Sequence, residues 1–310
     1  MYKIKQEPED FAVKEISNVD VKDKGKYTYF ILKKRDYTSE KAIQNIANYL
    51  HIPRKSFGYA GNKDRRAVTE QLCSVLGSIR NLELKDISVN VIGKGDKPIS
   101  LGDLEGNEFR IIVRDAAKKP KKIKSMVNYF DEQRFSSNNV AIGRNIVKKD
   151  FKGAADIIAN GNDFISNKIK EHLKDNPNDN VGALMIIPKK ILMLYVHSYQ
   201  SFIWNKSAEY FKERKKNIKI PIIGFDTEFK DGKIKDVVES IIKEENISLR
   251  DFIMRQMPAL SSPGGERDLF VDVKNLKIDK INKDEYKISF FLPKASYATL
   301  VIKNIFGKTT

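Results

Sequence analysis

A single cysteine, Cys73, occurs in 310 residues. No intrachain disulfide can form, and no cysteine-based metal cluster is available. Histidine is almost as scarce. His51, His172 and His197 stand far apart, with no H-E-x-x-H pair, so no zinc site is expected. There is no G-x-x-x-x-G-K-[ST] phosphate loop, and GKGDKPIS is too short and too loosely spaced to be one. There is no G-x-S-x-G nucleophile turn either. No uninterrupted apolar run reaches membrane-spanning length; the nearest, ALMIIPKKILMLYV, is broken by Pro188, Lys189 and Lys190. The opening MYKIKQEPEDF has no apolar segment of the kind a secretory signal needs. These absences argue against a disulfide-stapled secreted domain, a zinc enzyme, a P-loop nucleotidase and a membrane helix. A cytoplasmic protein without metal or small-molecule cofactor and without a membrane partner is expected.

Acidic residues are also in short supply: 41 Asp and Glu stand against 57 Lys and Arg, a net charge of +16. Such a surplus says little about fold and much about partners. Nucleic acid is the first candidate, through phosphate neutralisation and counterion release. Hydrophobic residues make up 41% of the chain and charged residues 32%, enough for a real core beneath a heavily solvated surface. The length fits about two domains. The oligomeric state is left open, and a monomer is compatible with everything in the sequence.

Periodicity divides the chain into three stretches. The first reads as mixed α and β: strands at DFAVKEI, KYTYFILKK, SFGYA, AVTEQLCSVLG, SVNVIG and EFRIIVRD, with one helix at TSEKAIQNIANYL. Thr38 can cap that helix, and Ala42, Ile43, Ile46, Ala47 and Leu50 form its apolar stripe. In KYTYFILKK apolar residues fall on both faces, so both sides of that strand can be buried. AKKPKKIK, residues 117–124, reads as a basic linker. The middle stretch is helical: DFKGAADIIA, NDFISNKIKEHLK, the long PKKILMLYVHSYQSFIWNKSAEYFKERKK with a basic end at Lys212, Arg214, Lys215 and Lys216, then DVVESIIKEE and SLRDFIMRQ. SSPGGER reads as a loop between domains. The last stretch returns to strands at ERDLFVDVK, DEYKISFFLP and SYATLVIKNIF, which are expected to complete the first sheet. The expected organisation is a discontinuous α/β catalytic domain, residues 1–150 and 266–310, interrupted by a mainly helical insertion at 151–265.

Asp64, in GYAGNKDRRAVTEQ (residues 58–71), is the residue of greatest chemical interest. An aspartate in a glycine-rich turn commonly bonds its own backbone. Flanked by Lys63, Arg65 and Arg66, its ionised form is favoured, and a carboxylate can serve as nucleophile or general base. NYFDEQRF, residues 128–135, offers Asn128, Arg134 and the aromatic Phe130, either as packed core or for base contacts and stacking. Tyr297 can be core or a platform for an unstacked base.

GYAGNKDRRAVTEQ, GNEFRIIVR, NYFDEQRF, SYQSFIWN and FLPKASYATLVIKN, in this order, together with KQEPEDFAVKE at the start, resemble the TruD family of tRNA pseudouridine synthases. The resemblance spans about residues 3–304. It implies the pseudouridine synthase α/β fold, an α+β arrangement on a mixed, mostly antiparallel sheet, with the family's helical insertion domain. It implies isomerisation of uridine to pseudouridine in tRNA, position 13 being the family's usual target, without cofactor or metal. It places the catalytic aspartate at Asp64 and a basic residue that assists it at Lys5. It also places groups that hold the base or the aspartate at Asn128 and Phe130, and a pocket-lining aromatic at Tyr297. RNA contacts are expected from Lys63, Arg65, Arg66, Arg134, Lys212, Lys215 and Lys216. The rival reading is a non-catalytic RNA-binding module using the same charge and aromatics. Three family glycines are replaced, by Asp131, Ser136 and Ala295, which raises a question of local backbone geometry.

Overall fold

The computed structural model describes residues 2–135 and 138–307, the side chain of Gln133 apart. Ser136, one of the three replaced glycines, therefore lies outside the described residues. The chain divides into two compact units, Met1–Met126 with Val271–Thr310, and Val127–Phe270. The sequence pattern placed these crossings at 151 and 265. The compact division takes in the 128–135 segment and the helix after it, because both are tied to the long helix of the second unit.

The first unit carries β1 (Phe11–Ile16), β2 (Tyr27–Arg35), α1 (Ser39–Leu50), β3 (Phe57–Tyr59), β4 (Val68–Leu76), β5 (Leu82–Leu84), β6 (Ile87–Gly95) and β7 (Gly106–Val113). β8 (Ser125–Val127) lies where the chain leaves it. The second unit holds α2 (Asn139–Val147), α3 (Phe151–Ala159), α4 (Phe164–Asp175), α5 (Asn180–Met185), α6 (Lys189–Phe211), β9 (Lys219–Ile222), α7 (Gly232–Glu244) and β10 (Gly265–Asp268). β11 (Phe270–Asp272) lies at the return, followed by β12 (Lys274–Lys280), β13 (Tyr286–Pro293) and α8 (Ala298–Phe306).

Nine strands form one mixed sheet in the order β12–β13–β7–β1–β4–β2–β6–β5, with β3 also paired to β4. Among the described residues of this sheet, the β1–β4 ladder alone is parallel, Ala12 facing Val68 and Lys14 facing Glu70; its other ladders are antiparallel. One face carries both helices. α1 packs Ala42, Ile43, Ile46 and Ala47 on Phe30, Leu32, Cys73 and Val75. α8 packs Ala298, Val301, Ile302 and Ile305 with Phe11, Val13, Ile111, Val113 and Ile288. Alternation puts Tyr29 on the opposite face, where it packs with Ala60, Leu72 and Ile99. β2 is thus buried on both faces, as its unbroken apolar run requires. Local signals fix the ends of α1: Thr38 Oγ1 accepts from Lys41 N at 3.1 Å, and His51 closes the helix in the left-handed region at φ 52°. Burial pushes the Cys73 thiol well above its ordinary value.

Three late expectations need correcting. SYATLVIKNIF is the helix α8, not a strand. Its β-branched residues suggest a strand, but Ala298, Val301, Ile302, Ile305 and Phe306 recur at three- and four-residue spacing, and those are its buried positions. ERDLFVDVK does not join the first sheet as one strand. It is cut into β10 and β11, and β10 pairs with β9 inside the second unit. The edge of the main sheet is instead β12, from KNLKIDK, whose charged, exposed residues suit an edge. SLRDFIMRQ forms only a 3-10 turn at Leu249–Phe252, closed by a reciprocal Ser248–Asp251 capping box, rather than a helix.

In the second unit α6 is buried almost all round. Val196, Tyr199, Ile203, Trp204 and Ala208 are fully enclosed. The Trp204 indole donates to Ile220 O on β9 at 3.1 Å, and Tyr199 donates to Glu245 Oε2 at 3.1 Å. Among the described residues, no helix is long and apolar enough to cross a membrane.

Candidate functional site

Asp64 sits in the turn before β4, and its side chain is half exposed. Its Oδ2 lies 2.5 Å from Lys5 Nζ, while the Lys5 side chain is only 17% exposed. Lys5 itself adopts a left-handed backbone, φ 57°, which is strained for a residue with a Cβ. Its ammonium stands 4.1 Å from the centre of the Phe11 ring, a cation–π contact on the sheet face that carries α8. The aspartate and the basic residue expected to assist it are thus joined, across 59 residues of sequence.

The turn beneath Asp64 is held by buried polar groups. Ser39 Oγ accepts from Lys63 N at 2.9 Å and donates to Gln71 Oε1 at 2.6 Å. The Gln71 amide donates to Gly61 O at 3.2 Å. Lys63 does not reach outward. Its buried ammonium lies 2.5 Å from Glu15 Oε2 and donates to Asn107 Oδ1 at 2.7 Å. An ammonium so enclosed and paired stabilises the turn and is not offered to an RNA phosphate. Lys34, another buried cation, donates to the carbonyls of Tyr37 and Asp64. Arg65 and Arg66 face outward; Arg66 donates to Gln6 O, and Arg65 has Asp36 at 3.8 Å. With Glu7, Pro8, Arg35 and Asp36 they line an open hollow of about 530 Å³.

In the second unit, Asn128 and Phe130 are both buried and share one neighbour that the sequence did not single out, Arg267. Its Nε donates to Asn128 O at 2.7 Å, and one terminal nitrogen donates to Asn128 Oδ1 at 2.8 Å and Tyr129 O at 3.2 Å. The same guanidinium lies 4.1 Å from the Phe130 ring centre and 5.3 Å from Trp204. Phe130 meets Trp204 edge to face at 5.6 Å, and Arg134 stands 5.1 Å from its ring centre. Its backbone exchanges two hydrogen bonds, both 2.9 Å, with the Asn205 amide on α6. Tyr129 donates to Glu209, and burial first, then that carboxylate, pushes its phenol upward. Lys212 is exposed and paired with Glu209 at 2.9 Å; Lys215 and Lys216 lie exposed in the turn after α6.

In the first unit, Tyr297 is half buried at the N-cap of α8. Among the described residues, no group of three or more His, Cys, Asp or Glu side chains is placed to hold a metal ion.

The sequence profile described as tRNA pseudouridine synthase D (TruD) matches residues 2–170, 165–216 and 206–305. The chain belongs to the TruD family. It is 28% identical to the tRNA pseudouridine synthase D of Aquifex aeolicus, a pairing that covers 98% of each chain. It is 29% identical to a Nanoarchaeum equitans protein named as a probable tRNA pseudouridine synthase D, again over 98% of each. These pairings run over 376 and 380 positions against 310 residues here, so the relatives carry segments with no counterpart in this chain. A crystal structure assigned to TruD from Methanosarcina mazei superposes with a TM-score of 0.77, at 26% identity, covering 99% of this chain and 93% of that one. Membership carries the reaction class, an isomerase acting on tRNA.

The two described positions at which the resemblance expects glycine divide by backbone. Ala295 occupies the left-handed region, φ 62°. A Cβ is costly there, and the position retains a glycine's conformation without its freedom. Ala295→Gly is therefore expected to stabilise the chain by about 0.5–1 kcal/mol, since relief of strain exceeds the added unfolded-state entropy. A thermal melt checks this; a lower Tm would contradict it. Asp131 is not left-handed. Its carboxylate accepts from Glu132 N at 2.8 Å and its carbonyl from Arg134 N at 2.9 Å, which starts the 3-10 turn Glu132–Phe135.

Proposed function

We propose that this chain isomerises a uridine of tRNA to pseudouridine with Asp64 as the reacting group and Lys5 as its cationic partner. The observation that carries this reading is the Lys5–Asp64 pair. A carboxylate that is half open to solvent has an ammonium locked on one oxygen, and the buried scaffold below leaves it little freedom. Position 13 is the target that the family resemblance implies. The target base must leave its stack, at a cost of a few kcal/mol. Tyr297, half buried at the N-cap of α8, supplies an aromatic face for an unstacked uracil; Asn128 and Phe130, the other groups that the resemblance implies, are buried and engaged by Arg267. Asp64 then acts at the sugar C1′, at the uracil C6, or on the C2′ proton; in each route the N1–C1′ bond breaks, the uracil turns, a C5–C1′ bond forms, the C5 proton is lost to solvent and N1 takes up a proton. The Lys5 ammonium balances charge as it develops.

The catalytic role falls to the first unit, which also carries most of the positive surplus, and exposed cations of the second add to the hold on tRNA. Arg65 and Arg66 on the first, and Arg134, Lys215 and Lys216 on the second, are the groups proposed to meet phosphate, reading shape more than bases. Lys212 contributes less because Glu209 already engages it. The aromatics and the charge would equally serve a binding module that does no chemistry. One experiment separates the two. Unmodified tRNA incubated with the protein is expected to release tritium from C5-labelled uridine and to gain a pseudouridine at position 13. Tight binding with no modified nucleotide would overturn the enzymatic reading, and modification elsewhere would overturn the target.

A further inference from the structure

Lys34 lies near the end of β2, on the face that carries α1, and is 1% exposed. A buried ammonium is destabilising unless hydrogen bonds replace its water. Its Nζ makes two such bonds, to the backbone carbonyls of Tyr37 and Asp64, the second at 2.9 Å. Ser39 and Gln71 secure the turn at Lys63 N and Gly61 O. Lys34 is the buried group that reaches the Asp64 peptide itself. Lys5 meets the carboxylate; Lys34 meets the main chain that carries it.

We propose that Lys34 is a positioning residue for the isomerisation, its ammonium fixing the Asp64 peptide so that the carboxylate is presented in one place. This rests on the reading of Asp64 as the reacting group. Misplacing a reacting group by about 1 Å can cost on the order of 100-fold in rate, so a bond to that peptide has leverage on turnover.

The same geometry gives the role a pH signature. Burial pulls the Lys34 ammonium down from its ordinary 10.5 to about 8, against the charges of Asp64 and Asp36, which raise it, while Lys63 adds to the lowering. Protonated, Lys34 is a charged donor to both carbonyls. As pH rises through about 8 it becomes a neutral, weaker donor, and turnover should fall with it. Stability moves the other way. The folded pKa lies below the unfolded one, so between about 8 and 10.5 the unfolded chain holds the extra proton, and this group's contribution to stability rises with pH. A side chain that served only to hold the fold together would not weaken turnover while its contribution to stability rose.

The test compares wild type, Lys34→Met, Lys34→Arg and Asp64→Asn. It measures kcat and KM by tritium release from pH 6 to 9.5, with Tm and tRNA Kd for each protein. Lys34→Met is expected to keep a Tm near wild type, to lose roughly 30-fold in kcat with KM changed less than about threefold, and to lack the wild-type decline above pH 8. Lys34→Arg keeps a charge that does not titrate in this range and is expected to recover part of the turnover without the decline. A Lys34→Met kcat within twofold of wild type overturns the proposal. So does the same alkaline decline in that variant, which would assign the limb to the substrate. If Lys34→Met does not fold, the wild-type profile still decides: a kcat flat from pH 7.5 to 9.5 overturns the proposal. Asp64→Asn separates the two levels. If it retains turnover, the reading of Asp64 fails; if it loses turnover while Lys34→Met does not, only the role of Lys34 fails.

Discussion

Tritium release from C5-labelled tRNA falls by at least about three orders of magnitude in Asp64→Asn, a loss of about 4 kcal/mol of transition-state stabilisation. The substitution keeps the shape of the side chain and its ability to accept from Lys5. It removes the negative charge, and with it the capacity to attack carbon or take a proton. The fold should hardly notice. The carboxylate is 49% exposed and its ion pair with Lys5 is part-open, and such pairs contribute about 0–1 kcal/mol. Tm is expected to stay within about 4 °C, the shift that energy supports. Binding of tRNA should persist, since phosphate contacts are untouched and one negative charge is gone. Turnover within tenfold of wild type would remove Asp64 from the chemistry. A collapse in Tm alongside the lost turnover would assign it to structure instead.

The second large effect belongs to Arg267→Ala. This guanidinium is 7% exposed and makes three hydrogen bonds to Asn128 and Tyr129, besides its contact with the Phe130 face. Truncation strands those acceptors, the Asn128 ones being buried, and opens a cavity beside Phe130 and Trp204. Charged hydrogen bonds contribute about 1.5–3 kcal/mol, and stranded acceptors add to the loss. A cost of about 3 kcal/mol is expected, read as a fall in Tm of roughly 6–10 °C in a unit of this size. Phe130 and Asn128 then lose their shared support, so kcat/KM should drop by about 100-fold at a temperature where the variant is still folded. Arg267→Lys keeps the charge without the planar fork, and is expected to recover stability better than activity. A variant with wild-type kcat/KM below its melting temperature would show that Arg267 supports the fold alone.

Some of this was legible in the sequence and some was not, for identifiable reasons. The α1 stripe and its Thr38 cap are local, so periodicity and one side chain suffice to place the helix. α8 misled because Thr299, Val301 and Ile302 carry strand propensity, whereas packing on β1, β7 and β13 selects the helical spacing. The Lys5–Asp64 pair could be named only through the family resemblance, because nothing local to either residue points at the other. Arg267 stood in a glycine-rich segment that reads as a linker, and its partners lie 138 and 139 residues away. The nearest available hint was a lone arginine just after SSPGGE and just before the apolar pair Leu269 and Phe270.

By itself, the sequence determined the sign and size of the charge, the missing metal and nucleotide motifs, most of the local elements and the ordered motifs that place the chain among TruD proteins. Those features depend on composition and on neighbours within one turn or one strand. The tertiary structure decided which way the cations point. Lys63, expected to meet RNA or to hold the charge of Asp64, is buried against Glu15; Lys34, read only as strand, is buried beneath Asp64; Arg267, read as loop, is buried against Asn128; Arg65, Lys215 and Lys216 remain in solvent. A lysine or arginine has the same sequence signature in either setting. Its burial depends on whether a carboxylate or a backbone carbonyl, brought in from a distant part of the chain, replaces its water.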